Sequence, residues 1–560
     1  MSGGRALISA AGALNLDRDA SVSWGLEPQA LVETAGRLCA RALKDYLRNG
    51  DPGKAGFVRG PVLALAGPGN NGADALVMLR ALLMDRDFSA PAAVLSRPPA
   101  ENESTPRSSA LRALKAMGVP VYCWREDREK IEFLVQNAGI ILDGIAGTGI
   151  RGALEGVSAE MVRAVNERTL KSRADPPGDV PLVAAVDVPS GCSDSWKNGD
   201  TVLGARVTLA VEPVKKSLYV PALRGYCGII IPVEGIFPAA LLGAHAEKTE
   251  LLSWSGASRR IPPIAPWAYK YERGVAEIHA GAVGSSGAAR IAAAGALSGG
   301  AGLVRLFTAP EIYPQAAVNS GGIMVLPETA GGDGRFPADA LLLGPGWGRG
   351  ETQRAVLRNA LEAERGGVPL ILDADAIALT EETVFSGNAV LTPHAGEMAA
   401  YTGIPKERLL AEPELIRQTA VEKNAVLLFK SHVLIAASPD GRMIYIDGME
   451  PALGAGGSGD LLAGLCAALC ARLHALKTRG LAEYDGLRAA AAAGALLIAA
   501  SRKRGRVFAD PLELAAAAGE LAGEAWLPAE AGFPQEFLPS LEAGRPGEPG
   551  LHAGYIYGRT

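Results

Sequence analysis

Residues 61–74 read PVLALAGPGNNGAD, and the helical stretch ALVMLRALLM follows them. The apolar run predicts a buried strand, and the glycine-rich turn leads from it into a helix. A G-x-G-x-x-G turn in this setting presents backbone amides to an anion at the helix N-terminus. A hydride-transferring dinucleotide fold also needs an acidic residue about 20 positions later. The next predicted strand ends in Leu95-Ser96-Arg97 instead, which disfavours that chemistry.

Strand-type segments recur between helix-type segments along the whole chain. Their continuous apolar runs are typical of parallel sheets that helices cover on both faces. The predicted strands are 61–66, 92–96, 139–143, 181–188, 206–211, 275–280, 303–308, 340–344, 370–375, 389–392, 425–430 and 432–437. Two helices, 459–475 and 486–503, follow the last of them. The pattern predicts an α/β protein.

The length of 560 residues allows several domains, at about 150 residues each. We predict an N-terminal domain at 1–246, a polar linker at 247–264, a C-terminal domain at 265–528 and a loosely ordered tail at 529–560.

Composition excludes several classes of protein. With 55 basic and 60 acidic residues the net charge is -5, so neither nucleic acid nor a membrane surface is an expected partner. The six cysteines have no C-x-x-C spacing, as is usual for reduced thiols in a cytoplasmic protein. The longest apolar run, 489–500, has 12 residues, whereas a bilayer span needs about 20. We predict a cytoplasmic location.

Two further strand ends of the first half carry polar groups, in DGIAGTG at 143–149 and DVPSG at 187–191. Ligands of open α/β sheets bind outside the carboxyl ends of the strands. Three such loops therefore predict one site, although Asp143 and Asp187 could instead cap their own turns.

The first half resembles the NAD(P)H-hydrate epimerase family over about residues 6–235. Similar motifs occur in the same order: ISAAGALNLDRDA, GPGNNGADALVMLR, DGIAGTGIRG and VDVPSG. The resemblance implies a Rossmann-like three-layer domain and K⁺ ligands at Asn71, Asp143 and Ser190. The residues that it places against the hydrated nicotinamide nucleotide are Asn70, Asn71, Gly72, Ala73, Asp74, Gly147, Thr148, Gly149, Ile150, Arg151, Gly152, Ala153 and Asp187.

Epimerisation at C6 of the nicotinamide ring is an acid/base and ring-opening problem. Asp187 beside the bound ring is the candidate catalytic proton carrier. Ala73 and Ala75 stand where the family has glycines, and we expect their methyl groups to narrow the loop.

In the second half, residues 453–464 read LGAGGSGDLLAG, a glycine-rich turn before an apolar helix. Its amides could hold a phosphate, and Asp460 in the first turn could take a proton from a hydroxyl, or simply cap the helix. His394 could be a turn residue. Lys430 at a strand end could contact phosphate or lie at the surface.

These segments resemble the ribokinase-like, ADP-dependent NAD(P)H-hydrate dehydratase family over about residues 265–525. Similar motifs are KYERG, LGPGWGRG, LDADAI, LTPHAGEM and GAGGSGDLLAG. The resemblance implies a hydrate site at Ala288, Gly346, His394 and Asp460, with Asp460 as the catalytic base. It also implies ADP as co-substrate, with Mg²⁺, held by Lys430, Ser431, His432, Val433, Leu434 and Gly459.

Together the resemblances imply a bifunctional, homo-oligomeric repair enzyme that epimerises the R and S hydrates and dehydrates the S form. Two departures bear on the nucleotide. Leu434 replaces the threonine of the family's K-G-x-x-T strand, and Glu450 replaces an asparagine, so that we expect it to repel phosphate. The alternatives are a ribokinase-like small-molecule kinase and a nucleotide-binding protein that has lost catalysis.

Overall fold

Two sheets with parallel cores organise the computed structural model, which describes residues 3–49, 60–84, 88–100, 104–150, 152–174, 180–328 and 337–526. The strands are β1 (Gly4–Ile8), β2 (Pro61–Ala66), β3 (Ser89–Leu95), β4 (Val121–Cys123), β5 (Ile140–Gly144), β6 (Leu182–Val186), β7 (Val207–Val211), β8 (Val214–Lys215), β9 (Ile229–Val233), β10 (Thr249–Leu252), β11 (Val275–His279), β12 (Leu303–Thr308), β13 (Ile323–Pro327), β14 (Ala340–Leu343), β15 (Leu370–Leu372), β16 (Ala389–Leu391), β17 (Val426–Phe429), β18 (Val433–Ala437) and β19 (Met443–Asp447).

Helices lie on both faces of the sheets. They are α1 (Ala10–Val22), α2 (Pro28–Asn49), α3 (Asn70–Leu82), α4 (Pro106–Ala116), α5 (Arg128–Asn137), α6 (Gly156–Ala174), α7 (Pro221–Arg224), α8 (Ala239–Ala244), α9 (Trp254–Ser258), α10 (Ser286–Ser298), α11 (Tyr313–Ala317), α12 (Glu351–Arg365), α13 (Asp375–Ala378), α14 (Ala395–Thr402), α15 (Lys406–Ala411), α16 (Glu414–Lys423), α17 (Ser458–Thr478), α18 (Gly486–Arg504) and α19 (Pro511–Trp526). Short 3-10 turns cover Lys216–Tyr219 and Pro451–Gly454.

The first sheet has seven parallel strands in the order β4-β3-β2-β5-β6-β7-β9. Its central strands, β2, β5 and β6, are buried almost throughout, as continuous apolar runs predict. The carboxyl ends of β2, β5, β6 and β7 therefore meet at one edge. This arrangement confirms the predicted α/β class for the first half.

The second sheet has twelve strands in the order β13-β12-β11-β14-β15-β16-β17-β18-β19-β10-β1-β8. From β13 to β17 the strands are parallel, and β18 and β19 add an antiparallel meander. The loops that follow β14, β15, β16 and β17 therefore lie at a common edge. They carry the predicted dehydratase motifs.

The segment 247–264, which we predicted as a linker, contains a strand and a helix. Within it, β10 pairs with β19 in parallel and with β1 in antiparallel fashion. β8 in turn pairs with β1. Strands of the first half therefore extend the second sheet. The predicted tail 529–560 lies outside the described residues.

α17 is the one described helix that is long and apolar enough to cross a membrane, judged by length and composition. Of its most apolar window, 78% is buried inside the structure. Its face against α10 is closely packed, because a β-carbon at Gly464 would lie 2.0 Å from the carbonyl oxygen of Ala292. α17 is thus a core helix that carries Asp460 at its first turn.

Candidate functional sites

A cleft of about 570 Å³ opens at the carboxyl edge of the first sheet. The predicted contact residues that line it are Asn70, Asn71, Gly72, Asp74, Gly147, Thr148, Gly149, Ile150, Ala153 and Asp187. Gly152 is not among the lining residues, and Arg151 lies outside the described residues. α1 and α2 close the cleft from the other side with Asp17 and Val32.

The glycine turn after β2 brings backbone close to backbone. A β-carbon at Gly67 would lie 1.8 Å from the carbonyl oxygen of Ile145, and one at Gly72 would lie 2.3 Å from that of Gly67. Both approaches are possible only for glycine. They hold the start of α3 against the loop that follows β5.

Ala73 and Ala75 face the core, not the cleft. Both side chains are fully buried in the apolar cluster beneath the sheet edge. Our expectation that their methyl groups narrow the loop is therefore wrong. Ala73 is left with only its backbone to offer a ligand.

An ion pair that the sequence did not indicate lies in the same cleft. Lys215 at the end of β8 donates from Nζ to Oδ1 of Asp187 at 2.7 Å and to the carbonyl of Val211 at 3.0 Å. Asp187 has a φ of +66°, a region that a non-glycine residue seldom adopts. The backbone at this strand end is thus strained, and it places the carboxylate beside the ammonium.

Six titratable groups line this cleft: Asp17, Asp74, Glu155, Asp187, Glu212 and Lys215. Burial raises the pKa of Asp187, and the charge of Lys215 opposes that rise. Burial likewise raises the pKa of Asp74 well above its usual range, and the neighbouring Asp187 adds to the shift. Carboxyl groups with raised pKa values beside an ammonium are typical of sites that transfer protons.

Lys215 lies a few residues after the carboxyl end of β7. The expectation that ligands bind at the carboxyl ends of strands, which located Asp143 and Asp187, therefore applies to Lys215 as well. The strand that carries it is only two residues long, however, and gives no periodic signal. Asp17 lies within the stretch ISAAGALNLDRDA. It does not follow a strand of the first sheet, so the sequence did not indicate that it lines the cleft.

In the second half, Asp460 lies half-buried in the first turn of α17. The turn begins at Gly457, whose φ is +91° and whose missing β-carbon leaves room for Ile291 and Pro511. Burial raises the pKa of Asp460 to about 6, with a contribution from Asp373 that Lys430 opposes. A carboxylate with a pKa near neutrality is suited to general base catalysis.

Lys430 connects the loops around Asp460. Its Nζ lies 2.6 Å from Oδ1 of Asp373 and 3.9 Å from Oε2 of Glu397. A β-carbon at Gly459 would lie 3.3 Å from the same Nζ, so the ammonium touches the start of α17. Lys430 is therefore a site residue and not a surface lysine.

The loop after β14 brings the remaining predicted residues into place. A β-carbon at Gly346 would lie 3.0 Å from that of Ala288, and one at Gly344 would lie 1.8 Å from the carbonyl oxygen of Asp373. Ser285 also donates to the carbonyl of Gly346 at 2.7 Å. Ala288 and Gly346 are thus neighbours, and their loop packs directly on Asp373.

His394 has a structural task. Its Nδ1 accepts hydrogen bonds from the amides of Gly396 at 2.9 Å and Glu397 at 3.1 Å and so caps α14. Its ring is exposed, and Nε2 lies 3.5 Å from Oε1 of Glu397. The turn role that the sequence left open is present, and contact with a ligand through Nε2 stays a prediction.

The predicted nucleotide segment is divided between core and surface. Val433 and Leu434 are buried, so only their backbone could contact a nucleotide. His432 points to the first half of the chain, where Nε2 lies 2.8 Å from the carbonyl oxygen of Pro221. The hydroxyl of Ser431 turns back and donates to the carbonyl of Val433.

Comparisons with known proteins identify the family of the chain. The model of the NAD(P)H-hydrate dehydratase family matches residues 276–510, and that of the YjeF-related protein N-terminus matches residues 28–217. The bifunctional NAD(P)H-hydrate repair enzyme of Thermofilum pendens is 31% identical over 484 residues, covering 81% of this chain and 85% of that relative. The chain belongs to the family of bifunctional NAD(P)H-hydrate repair enzymes.

A second member of this repair enzyme family, from Salinibacter ruber, is 32% identical over 528 residues and covers 87% of this chain and 92% of that relative. Among solved structures, an ADP/ATP-dependent NAD(P)H-hydrate dehydratase from Bacillus subtilis, co-crystallised with ATP/Mg²⁺, is 24% identical with a TM-score of 0.43. The match covers 49% of this chain and 97% of that one. The predicted family is confirmed by these relatives, and the two sheets with parallel cores confirm the predicted α/β class.

The potassium ligands that membership in this family implies fit the structure. Both side-chain polar atoms of Asn71 are buried without a hydrogen-bond partner. Asp143 is fully buried, where it accepts from the Ser190 amide at 2.8 Å and hydroxyl at 2.5 Å. Burial raises the pKa of Asp143 to about 6. An amide oxygen without a partner and a desolvated carboxylate together are suited to a cation.

Glu450, the departure that we expected to repel phosphate, has a partner. Its Oε1 accepts from Nε of Arg502 at 2.7 Å, and Arg502 also donates to the carbonyl of Asp447 at 2.9 Å. The arginine offsets the added negative charge. Glu450 should therefore repel phosphate less strongly than the sequence alone indicates.

Proposed function

We propose that this chain repairs hydrated NADH and NADPH at two separate sites. The N-terminal cleft interconverts the R and S epimers of the hydrate, and the C-terminal site dehydrates the S form with ADP. The observation that carries the proposal is Asp460, half-buried and with its pKa raised to about 6, beside Lys430 at a glycine-rich helix start. We place the boundaries of the two units near 246 and 265, with β10 between them.

Epimerisation needs a group that removes and returns the proton of the C6 hydroxyl. When Asp187 takes this proton, the C6–N1 bond can break to give an open aldehyde, while N1 gains a proton. Closure on the other face of the aldehyde and return of the proton give the second epimer. Lys215, 2.7 Å from Asp187, favours the ionised form of that carboxylate against the effect of burial and orients it.

Dehydration needs the C6 hydroxyl to become a leaving group. Asp460 takes the hydroxyl proton while the oxygen attacks the terminal phosphorus of ADP, which releases AMP. Phosphate then leaves C6 and a proton leaves C5, so that the ring double bond returns. The amides at the start of α17 and the ammonium of Lys430 face the phosphoryl group that is transferred.

Two cations belong to the proposal. Asn71, Asp143 and Ser190 would hold K⁺, which supplies fixed positive charge beside the cleft. Within the part of the chain that the structure describes, no group of three or more His, Cys, Asp or Glu side chains is arranged to hold a metal ion. We therefore expect Mg²⁺ to arrive with the nucleotide, bound mainly by phosphate and water.

The test is recovery of the reduced-nicotinamide absorbance from hydrated NADPH with ADP. Asp460→Asn should abolish this recovery while leaving epimerisation, followed by chromatography of the two epimers, unchanged. Asp440→Asn, on the exposed turn between β18 and β19, is the matched control and should keep both activities. Recovery that persists in Asp460→Asn contradicts the proposed base.

Lys215→Met should slow epimerisation, because Asp187 loses the charge that favours its ionised form. We expect a loss of about tenfold or more, and an epimerase pH profile displaced to higher pH. The neighbouring Lys216→Met is the control, since Lys216 lies beside Glu247 and does not line the cleft. Equal epimerase rates in Lys215→Met and Lys216→Met would show that Lys215 does not contribute to epimerisation.

Cytoplasmic location, homo-oligomeric assembly and independence from membranes and nucleic acid stay predictions. Gel filtration of the full chain with light scattering tests the assembly. Activity measured with ADP and with ATP, and with K⁺ exchanged for Na⁺, tests the cofactors.

A further inference from the structure

A second feature of α17 lies at the end away from Asp460. Arg472 is only 3% exposed, yet its guanidinium carries a charge into the interior. Nη2 donates to the carbonyl of Pro262 at 2.9 Å, and the guanidinium carbon lies 4.2 Å from the ring centroid of Trp526. Nη1 is buried and has no hydrogen-bond partner among the residues that the structure describes.

The charged group that acts most on Arg472 is another cation. Arg273, just before β11, has a buried Nε that also lacks a partner. Burial and the charge of Arg273 lower the pKa of Arg472 to about 9. The acidic residue beside them, Glu272, pairs instead with Arg479 at 2.7 Å. Among the described residues no carboxylate pairs with Arg273 or Arg472. A buried charge without a counter-ion costs several kcal/mol, so an anion beside the two guanidinium groups would stabilise them.

Space for a compensating anion is present. Arg273 and Arg472 line a cavity of about 80 Å³ whose walls are largely apolar, and the ion pair of Glu272 with Arg479 lines it as well. The volume accommodates several water molecules, and hence one small oxyanion. It is too small for a nucleotide.

We propose that Arg273 and Arg472 form a binding site for a small oxyanion of the phosphate class, separate from both reaction sites. A planar guanidinium presents paired N–H groups that match two oxygens of such an anion. The anion would join the segment before β11 to the C-terminal end of α17. The site stands on this geometry and does not depend on the proposed reactions.

The test is equilibrium binding of labelled inorganic phosphate to the full chain at fixed ionic strength, with AMP saturating the nucleotide site. The wild type should bind one phosphate under these conditions, and Arg472→Met and Arg273→Met should each lose it. Arg506→Met, at an exposed arginine paired with Glu513, is the matched control and should keep it. Phosphate that AMP displaces completely in the wild type belongs to the nucleotide site and overturns the proposal.

Because Arg472 is buried, its removal could disturb folding. The variant of the half-buried Arg273 therefore gives an independent test of phosphate binding. Arg273→Met should also lose the rise in melting temperature that phosphate gives the wild type, because a ligand stabilises only the state that binds it. Arg472→Lys keeps the charge without the fork and should bind roughly tenfold more weakly. Equal phosphate binding by the wild type and Arg273→Met, or none by the wild type, overturns the proposal.

Discussion

At the scale of single residues, the surroundings of a titratable group decide what it can do. Asp187 and Asp460 are both carboxylates at the edge of a sheet, and burial raises the pKa of each. Their cationic neighbours differ in kind: Lys215 bonds directly to Asp187, whereas Lys430 is bonded to Asp373 and acts on Asp460 only through its charge. The charge of Lys215 therefore partly offsets the effect of burial on Asp187, and Asp460, with a pKa of about 6, can accept a proton near neutral pH.

His279 on β11 gives a residue-scale prediction for stability. Burial opposes its protonation, but hydrogen bonds to Glu277 at 3.1 Å and Glu328 at 2.8 Å outweigh burial and raise the pKa of His279 from 6.5 to about 9. A raised pKa stabilises the fold below the unfolded value, and this contribution is lost as pH rises through the folded value. The free energy of unfolding should therefore fall by roughly 3 kcal/mol between pH 6.5 and 9.

The measurement is urea denaturation at several pH values for the wild type and His279→Gln. The variant should be less stable near pH 6 and should lose most of the fall between pH 6.5 and 9. The same pH dependence in both proteins would show that another group carries it.

At the scale of elements, glycines set how closely α10 and α17 approach. Gly295 on α10 and Gly464 on α17 lie at this contact, and a β-carbon on either would come within 2.5 Å of a backbone oxygen of the other helix. Such packing fixes the axis of α17 and hence the position of Asp460 at its start. The turn of the proposed base Asp460 thus depends on a contact in the core, away from the candidate site.

Gly464→Ala tests this packing. The added methyl group meets backbone that cannot rotate away, so we expect a loss of about 2–3 kcal/mol in the free energy of unfolding. Gly523→Ala on α19 is the control, because nothing lies within 4 Å of the position that its new β-carbon would take. That control should gain about 0.5–1 kcal/mol. Equal effects at the two positions would contradict the packing argument.

At the scale of the whole molecule, one sheet joins the two halves. β10 and β1 continue the second sheet beyond β19. Beside this junction, Arg224 on α7 donates from Nε and Nη2 to Asp447 at 3.0 and 2.8 Å. His432 and Pro221 make a further contact across it. The segment that follows Lys215 in the first cleft thus rests on the loops of the second site.

Arg224→Met should weaken this junction. The arginine side chain is 8% exposed and that of Asp447 is 25% exposed, so the pair is more buried than a surface ion pair. Loss of one partner should lower the free energy of unfolding by about 2–3 kcal/mol, measured by chemical denaturation of the full chain. Arg408→Met, which breaks an exposed pair within α15 and its C-terminal end, should leave the free energy of unfolding almost unchanged. Similar decreases in the free energy of unfolding for Arg224→Met and Arg408→Met would show that the Arg224–Asp447 pair does not stabilise the junction.

Much of the candidate site could be predicted from the sequence. Continuous apolar runs located strands such as β2, β12 and β18, and glycine-rich turns at their carboxyl ends located Asn71, Asp187 and Asp460. Lys430 was identified by its place at a strand end. Lys215 could not be found in this way, because a two-residue strand has no periodicity. The sequence placed Asp373 and Glu397 in loops at strand ends. It did not predict that both lie close to Lys430, because that proximity depends on the order of the strands in the sheet.

The amino-acid sequence alone determined the α/β class, the family and the turns that carry Asp187 and Asp460, because these depend on local patterns of apolar residues, glycines and carboxylates. Only the tertiary structure decided that Lys215 contacts Asp187, that β10 and β1 extend the second sheet, and that Arg472 lies beside Arg273 without a counter-ion. These are contacts between residues far apart along the chain. Strand order and helix packing bring such residues together, and no local pattern records them.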